Sequence, residues 1–285
     1  MYKMKTLSII IPIYNTSKEY FSKCLTSLIC DQSYEIEVIV VDDGSLEKYS
    51  IEIEKEIKDS PLDIQYYKKE NGGQNSAREY GLLIASGKYI FFMDSDDYVV
   101  NTRCERQLEK FQEDPRLGIV GSYEAEFVDD VENVISIHRV PTEDGEIEQF
   151  MHRRCSILHP TVMYKKSAVL KSGNYQSVLL YEDYDLFARM VLEHHIKSYN
   201  IPESLYYIRT SEDFFKRRGG MKYAKTVLQF KWGQYKKGYM SAVDFCISGL
   251  GQAFVCLLPN VLRKSFYMKF LRKWLKSRYE YGRSN

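Results

Sequence analysis

The chain has 285 residues, 44% of them hydrophobic and 14% aromatic, enough to bury one large core or a core with a smaller addition, so disorder is excluded for most of its length. The net charge of +1 hides an asymmetry: residues Phe214 to Asn285 hold sixteen Lys and Arg against two acids, and the preceding body is correspondingly acidic. This split suits a basic end that meets an anionic surface and a body that holds cations or polar ligands, while the absence of any recognition motif argues against nucleic acid.

From the N-terminus, Thr6 to Tyr14 reads as a fully buried strand. Its apolar part is short, is interrupted by Pro12 and lacks a small-residue cleavage site, so it is expected to belong to the fold and not to a secretory signal. Tyr20 to Leu28 then reads as a helix, Ile36 to Val41 as a strand, Ile51 to Ile57 as a helix, Ile64 to Tyr67 as a strand, Ser76 to Ala85 as a helix and Tyr89 to Met93 as a strand. Continuous Ile/Val strands separated by helices predict an α/β fold with a parallel sheet covered on both faces. Further on, Leu117 to Val128, Val134 to Val140, Ile157 to Tyr164 and Ser204 to Ile208 read as strands, and Glu182 to Glu193 as a helix with acids in its first turn. After Arg217 to Gly220 the chain becomes helical, aromatic and basic, which divides it into a body of residues 1–213 and a basic amphipathic region of residues 214–285. Six scattered cysteines, without the close pairs of zinc or redox motifs, read as reduced thiols of a cytosolic protein.

Ligands of open parallel sheets bind beyond the carboxyl ends of the strands. Here those ends carry Tyr14-Asn15, Asp42-Asp43-Gly44-Ser45 and Asp94-Ser95-Asp96-Asp97. Three carboxylates within four residues repel one another, a cost that a bound cation removes. If the strand geometry continues, alternation puts Asp94 and Asp96 on one side, a spacing that suits hard oxygen ligands of a divalent ion holding a diphosphate. The alternative is Asp-rich capping before Thr102. Asp42-Asp43-Gly44-Ser45 is equally ordinary turn chemistry. Asn71-Gly72-Gly73 ahead of Arg78 offers amides and a guanidinium to phosphate oxygens, or is a routine loop. Within Tyr181 to Asp185, a carboxylate at a helix start is either a cap or a proton acceptor.

Taken in order, Ser8 to Asn15, Val38 to Ser45, Asn71-Gly72-Gly73 with Ala77-Arg78, Ala85 to Asp97 and Glu182-Asp183 resemble the family 2 glycosyltransferases across residues 6–210. The resemblance implies the GT-A fold, a Rossmann-like, mostly parallel sheet with helices on both faces, here with a C-terminal helical appendage. It implies inverting transfer of a hexose or N-acetylhexosamine from a UDP-sugar to a glycan hydroxyl with the help of Mn2+ or Mg2+. Pro12 and Tyr14 would line the base pocket, Asp42 would accept the uracil N3–H, and Arg78, Asp94 and Ser95 would contact the donor. Asp96, with Asp94 and Asp97, would hold the metal, and Asp183, with Glu182 beside it, would be the general base. Glu79 departs from the family pattern, which often has Asn there. The Gln/Arg-x-x-Arg-Trp signature of processive members is missing, which favours transfer of one sugar per encounter.

Three readings stay uncommitted. His159 is expected to be a structural hydrogen-bonding residue, and Arg209, Arg217 and Arg218 either close over the diphosphate or begin the basic region. The uncharged run Phe245 to Leu262, followed by Lys and Arg mixed with bulky apolar residues, suits peripheral attachment to an anionic membrane on the cytoplasmic face, as a lipid-linked acceptor would require. A core or homo-oligomer interface helix and true insertion are the alternatives. A nucleotidyltransferase on a similar sheet and a catalytically silent assembly subunit are the rival functions.

Overall fold

The structure, a computed structural model, describes residues 5–29, 34–176, 178–210 and 219–266. Its strands β1 (Leu7–Ile13), β2 (Ile36–Asp42), β3 (Ile64–Lys68) and β4 (Tyr89–Phe92) lie in the order β3-β2-β1-β4, all parallel. Helices α1 (Lys18–Ser27), α2 (Glu47–Asp59) and α3 (Gln74–Ile84) connect them. β1 and β4 are buried throughout. Alternation sends Ile10, Ile39, Val41, Ile90 and Phe92 into one apolar layer with Ala77 and Leu82 of α3. Ile9, Ile11, Val38, Val40 and Phe91 enter the other, with Phe21 of α1 and Ile53 of α2. Pro12 is tolerated in this central strand because β4 leaves the ladder after Ile10 pairs with Phe92, so no partner strand needs the N–H that proline lacks.

Beyond β4 the sheet becomes mixed. After β5 (Tyr98–Val99) and α4 (Arg103–Glu113) comes the hairpin β6 (Leu117–Val128) and β7 (Asp130–His138), followed by α5 (Asp144–Met151). Then β8 (Met163–Lys165) inserts antiparallel between β4 and β6. α6 (Lys166–Lys171) and α7 (Glu182–Ala188) lead to β9 (Lys197–Arg209), which pairs parallel with β6 and antiparallel with β5.

Several expected elements change form. The strand foreseen at Ile157 to Tyr164 shrinks to β8, because Pro160 cannot donate to a ladder and His159–Thr161 winds into a 3-10 turn. The last strand is longer than Ser204 to Ile208, with Pro202 at a register shift opposite Ser122 and Tyr123, where a missing N–H is harmless. The helix at Glu182 becomes π-helical over Arg189–Glu193. α4 and α5, not foreseen, cover the sheet; fully buried Arg103 of α4 donates to Gln107 Oε1 (2.9 Å) and Pro160 O (3.1 Å), bracing the turn that carries His159.

The basic region forms α8 (Met221–Lys236), a continuous helix α9 (Ala242–Asp244, π-helical Phe245–Leu250, Gly251–Leu257) and α10 (Asn260–Phe266). These helices are appended in sequence yet pack into the body. Phe230 stacks on Tyr181 with ring centroids 4.2 Å apart, and Lys231 donates to Arg153 O at 2.8 Å. α8 and α9 meet through Ala224, Val227, Ala253 and Cys256. Arg217, Arg218 and the Lys/Arg/Trp stretch after Phe266 lie outside the described residues.

Candidate active site

The chain leaves β4 not as a continued strand but in a turn, Asp97 N–H donating to Asp94 O at 3.2 Å, so strand alternation is not what sets the directions of Asp94 and Asp96. Nor do these acids cap α4: Thr102 is its N-cap, without a side-chain cap bond. The turn divides the labour. Asp94 Oδ1 accepts from Arg78 Nη2 (3.1 Å) and Gln74 Nε2 (2.9 Å), both on α3. Ser95 is nearly buried and shares a 2.8 Å hydrogen bond with Thr16 Oγ1, clipping the turn to the loop after β1. Asp97 is buried; its oxygens accept from Tyr206 Oη and the Arg209 N–H, both at 2.8 Å. Burial, with Asp94 and Asp96 adding to it, pushes its carboxyl well above the usual range. Asp97, expected among the metal ligands, thus has each oxygen engaged by a protein donor and supports the turn.

Asp96 is different. Its carboxylate is half-buried and accepts from no other side chain among the described residues, and burial together with Asp94 raises its pKa. A pair of hard oxygen donors that destabilise each other's charge is chemically matched to a small divalent cation. Among the described residues no group of three ligating side chains is gathered for a metal, which suits an ion such as Mg2+ that is held by one or two carboxylates together with phosphate oxygens and water.

Asp42 is also reassigned. It is fully buried, and its oxygens accept from Ser45 N–H (2.7 Å), Ser50 Oγ (2.8 Å) and Tyr66 Oη (2.7 Å). Burial works to raise its pKa, and these hydrogen bonds overcome that and hold it below the ordinary carboxylate value. With no exposed surface and three internal donors, it has nothing left for a uracil N3–H. Asp43 takes the N–H groups of Gly72 (3.0 Å) and Gly73 (2.7 Å) and Lys69 Nζ (2.8 Å), which fixes the loop before α3. Gly44 permits this closeness: its φ is +79°, and a Cβ there would stand 2.8 Å from Asn71 N. Pro12 is buried in β1, whereas Tyr14 at its end is 56% exposed and free to cover a flat ring.

Asp183 sits in the first turn of α7 without capping it; Tyr181 is the N-cap and makes no side-chain cap bond. The acidic cluster splits here: Asp185 is neutralised by Arg189 Nε (2.8 Å) and Lys237 Nζ (3.1 Å), while Asp183 lines a cavity of about 2080 Å³. Glu182 does not line that cavity, so the paired expectation narrows to Asp183. Burial raises the Asp183 pKa, and the nearby Arg78 partly opposes the rise.

His159, expected to be structural, stands 3.5 Å from Asp183 Oδ1 and lines the same cavity. Burial, reinforced by Arg78, pushes its pKa well below the usual value, so the imidazole is neutral and the contact is not an ion pair. Its Nε2 shares a 2.7 Å hydrogen bond with Tyr175 Oη, which lies 3.4 Å from Tyr164 Oη. The ring stacks on Phe92 (5.6 Å between centroids), and Arg78 lies 5.8 Å from the same ring. Phe92 thus neighbours both polar groups. Arg209, expected either to close over the diphosphate or to begin the basic region, ends β9, is tied down by Asp129 O (2.9 Å) and Tyr98 Oη (3.2 Å), and lines the cavity.

The residues missed by sequence reasoning are Gln74, Tyr164, Tyr175 and Tyr206. Gln74 directly follows Gly73 at the start of α3 and could have been found by extending that motif; the tyrosines, three among 24, carry no local signal.

Residues 8–171 match the family described as glycosyl transferase family 2, and the chain belongs to that family. It is a glycosyltransferase, and its sheet and helices have the GT-A fold. It is 30% identical, over 94% of its own length and 97% of the relative's, to a protein of Escherichia coli named UDP-Gal:alpha-D-GlcNAc-diphosphoundecaprenol beta-1,3-galactosyltransferase. Among solved structures it resembles S. aureus TarS 1–349 in complex with UDP-GlcNAc, with TM-score 0.60, 18% identity, and 93% of this chain and 76% of that one covered. It also resembles the Pyrobaculum calidifontis mannosyltransferase PcManGT in complex with GDP-Man and Mn2+, with TM-score 0.61, 14% identity, and coverage of 89% and 70%. Family membership sets aside the nucleotidyltransferase reading.

Proposed function

We propose that the protein transfers a single hexose or N-acetylhexosamine, with inversion, from a UDP-sugar to a hydroxyl of a lipid-linked glycan, in surface polysaccharide or glycoconjugate assembly on the cytoplasmic face of an anionic membrane. One observation carries this reading: Arg78 bonds Asp94 at the end of β4 and lies within the field of Asp183, about ninety residues later, so a candidate cation site and a candidate base lie around one guanidinium. The galactosyltransferase relative, with its UDP-sugar donor and lipid diphosphate acceptor, supports the choice of donor and acceptor class.

In this mechanism Tyr14 covers the base, and Asp94 and Asp96 hold a divalent metal, Mn2+ or Mg2+, which when bound neutralises charge on the departing nucleoside diphosphate. Arg78, buried but kept charged by Asp94 and Asp183, adds fixed positive charge beside that group. Asp183 accepts the proton of the acceptor hydroxyl, whose oxygen bonds to the anomeric carbon as the bond to the diphosphate breaks. Neutral His159, whose Nε2 is engaged with Tyr175 Oη, stands beside Asp183 without neutralising its charge. One displacement converts an α-linked donor into a β-linked product.

The direct test is a panel of UDP-hexoses and UDP-N-acetylhexosamines, with UDP release as the readout. Release from at least one of them, abolished by chelator and restored by Mn2+, is expected. A protein that turns over none of them, or that prefers a GDP-sugar, would sink the donor assignment.

A further inference from the structure

α9 has two unlike sides. Ile247, Ser248, Gly251, Gln252 and Val255 line the same cavity as Asp183. Val243, Ile247, Leu250, Phe254 and Leu257, three or four residues apart as neighbours on one helix face are, remain 50% to 65% exposed. Isolated exposed apolar residues need no explanation, but an uncovered stripe of five does. Beside it lies an aromatic group: Trp232 and Tyr235 of α8, both partly exposed, pack against Phe245 of α9 with centroids 5.6 and 6.1 Å away. Lys236 extends over the Trp232 ring at 5.6 Å, its stem on apolar surface and its charge outward.

We infer that this stripe is the surface on which an anionic lipid bilayer docks, with the Trp232 and Tyr235 rings at headgroup level. The wall that α9 gives to the cavity then lies against the membrane, and a lipid-linked acceptor sugar enters beside it. The inference rests on the acceptor class proposed above.

Charge decides between the two occupants that such a stripe accepts. Among the described residues of this region Lys222, Lys225, Lys236 and Lys237 are exposed, the last of them paired with Asp185, while the one acid, Asp244, is bonded to Arg153 and Ser241. A second copy docked on the same face would set cations against cations, whereas acidic headgroups complement them. The sequence beyond Phe266 continues the pattern, with Lys269, Arg272, Lys273 and Lys276 among Phe270, Leu271 and Trp274. No helix among the described residues is long and apolar enough to cross a membrane, so the contact is interfacial.

The test is flotation of the full chain with phosphatidylcholine vesicles, with and without phosphatidylglycerol, for the wild type and a Leu250→Glu/Phe254→Glu variant. Neither residue lines the cavity. The wild type should float with the anionic vesicles, less so as salt rises, and the variant should lose at least about tenfold in partitioning. UDP binding and turnover of a water-soluble acceptor should be unchanged. If the variant melts early, Leu250→Ser/Phe254→Ser replaces it. Equal flotation of a folded variant and wild type, or no flotation of the wild type, overturns the proposal. So does a wild-type dimer in sedimentation that the variant disperses, which would assign the stripe to a second copy. If the wild type floats but turns over no UDP-sugar, the catalytic reading fails and the docking surface stands.

Discussion

Asp183 owes its candidacy to its surroundings more than to its identity. A carboxylate acts as a base only when ionised, so activity is lost as pH falls through its pKa. Because burial raises that pKa, the acid limb of the kcat profile is expected above the ordinary aspartate range, and a limb near pH 4 would remove Asp183 from the role. Asp183→Asn should lower kcat by about 100-fold or more while leaving UDP affinity close to wild type. Asp42 makes the opposite case. Its folded pKa is depressed, so its stabilising contribution is present above the unfolded pKa and is lost as pH falls through the folded one. Asp42→Asn is expected to cost about 1–3 kcal/mol in urea unfolding at neutral pH, with the difference from wild type shrinking below about pH 4 and UDP affinity little changed. A large loss of UDP affinity at unchanged stability would restore the base-reading role. The acid-rich segments were legible from the sequence as places where something happens. The division of duties within them was not, because partners such as Tyr66, Tyr206 and Arg209 arrive from distant strands.

Strands β1, β2 and β4 could be read in advance because strands buried on both faces must be largely apolar, and Ile, Val and Phe fill that pattern cheaply. The later half resisted. β8 has three residues, and β9 continues through a proline only because the register slips there. Short, irregular pairing of this kind is decided by partners and not by local pattern. The same half carries His159, expected to be a structural hydrogen-bonding residue: it does bond Tyr175 Oη, but its place 3.5 Å from Asp183 depends on a 3-10 turn that no local pattern announces. Loops set by backbone sterics are a middle case: Gly44→Ala places a Cβ against Asn71 N at a positive φ. It should lower the urea midpoint by about 1–3 kcal/mol in stability, with the slope unchanged. A neutral outcome would mean that the Asn71-Gly72-Gly73 loop is free to move away from β2.

For the whole molecule, the acidic body and the basic end foreseen from charge remain distinct in sequence, but they share a core. Phe230 and Tyr239 belong to the same buried cluster as Tyr184 and Phe187 of α7, and Lys231 is buried against Tyr184, with its pKa pushed down by burial to about 7. A chain ended after Thr210 is therefore expected to bind ANS and to unfold at lower temperature than the full chain, because the Tyr181 and Tyr184 faces lose their cover. Cooperative melting of the shortened chain at the full-chain temperature would instead mark residues 1–213 as an independent domain.

The packing around Phe92 has a consequence for anyone wishing to alter this enzyme. One ring neighbours both Arg78, proposed to act on the donor, and His159, beside the proposed base. A smaller side chain there would slacken both at once, so affinity for nucleotide and speed of turnover should drift in concert. Retuning either half alone has to begin farther out, at Tyr14 or along the walls of the acceptor chamber.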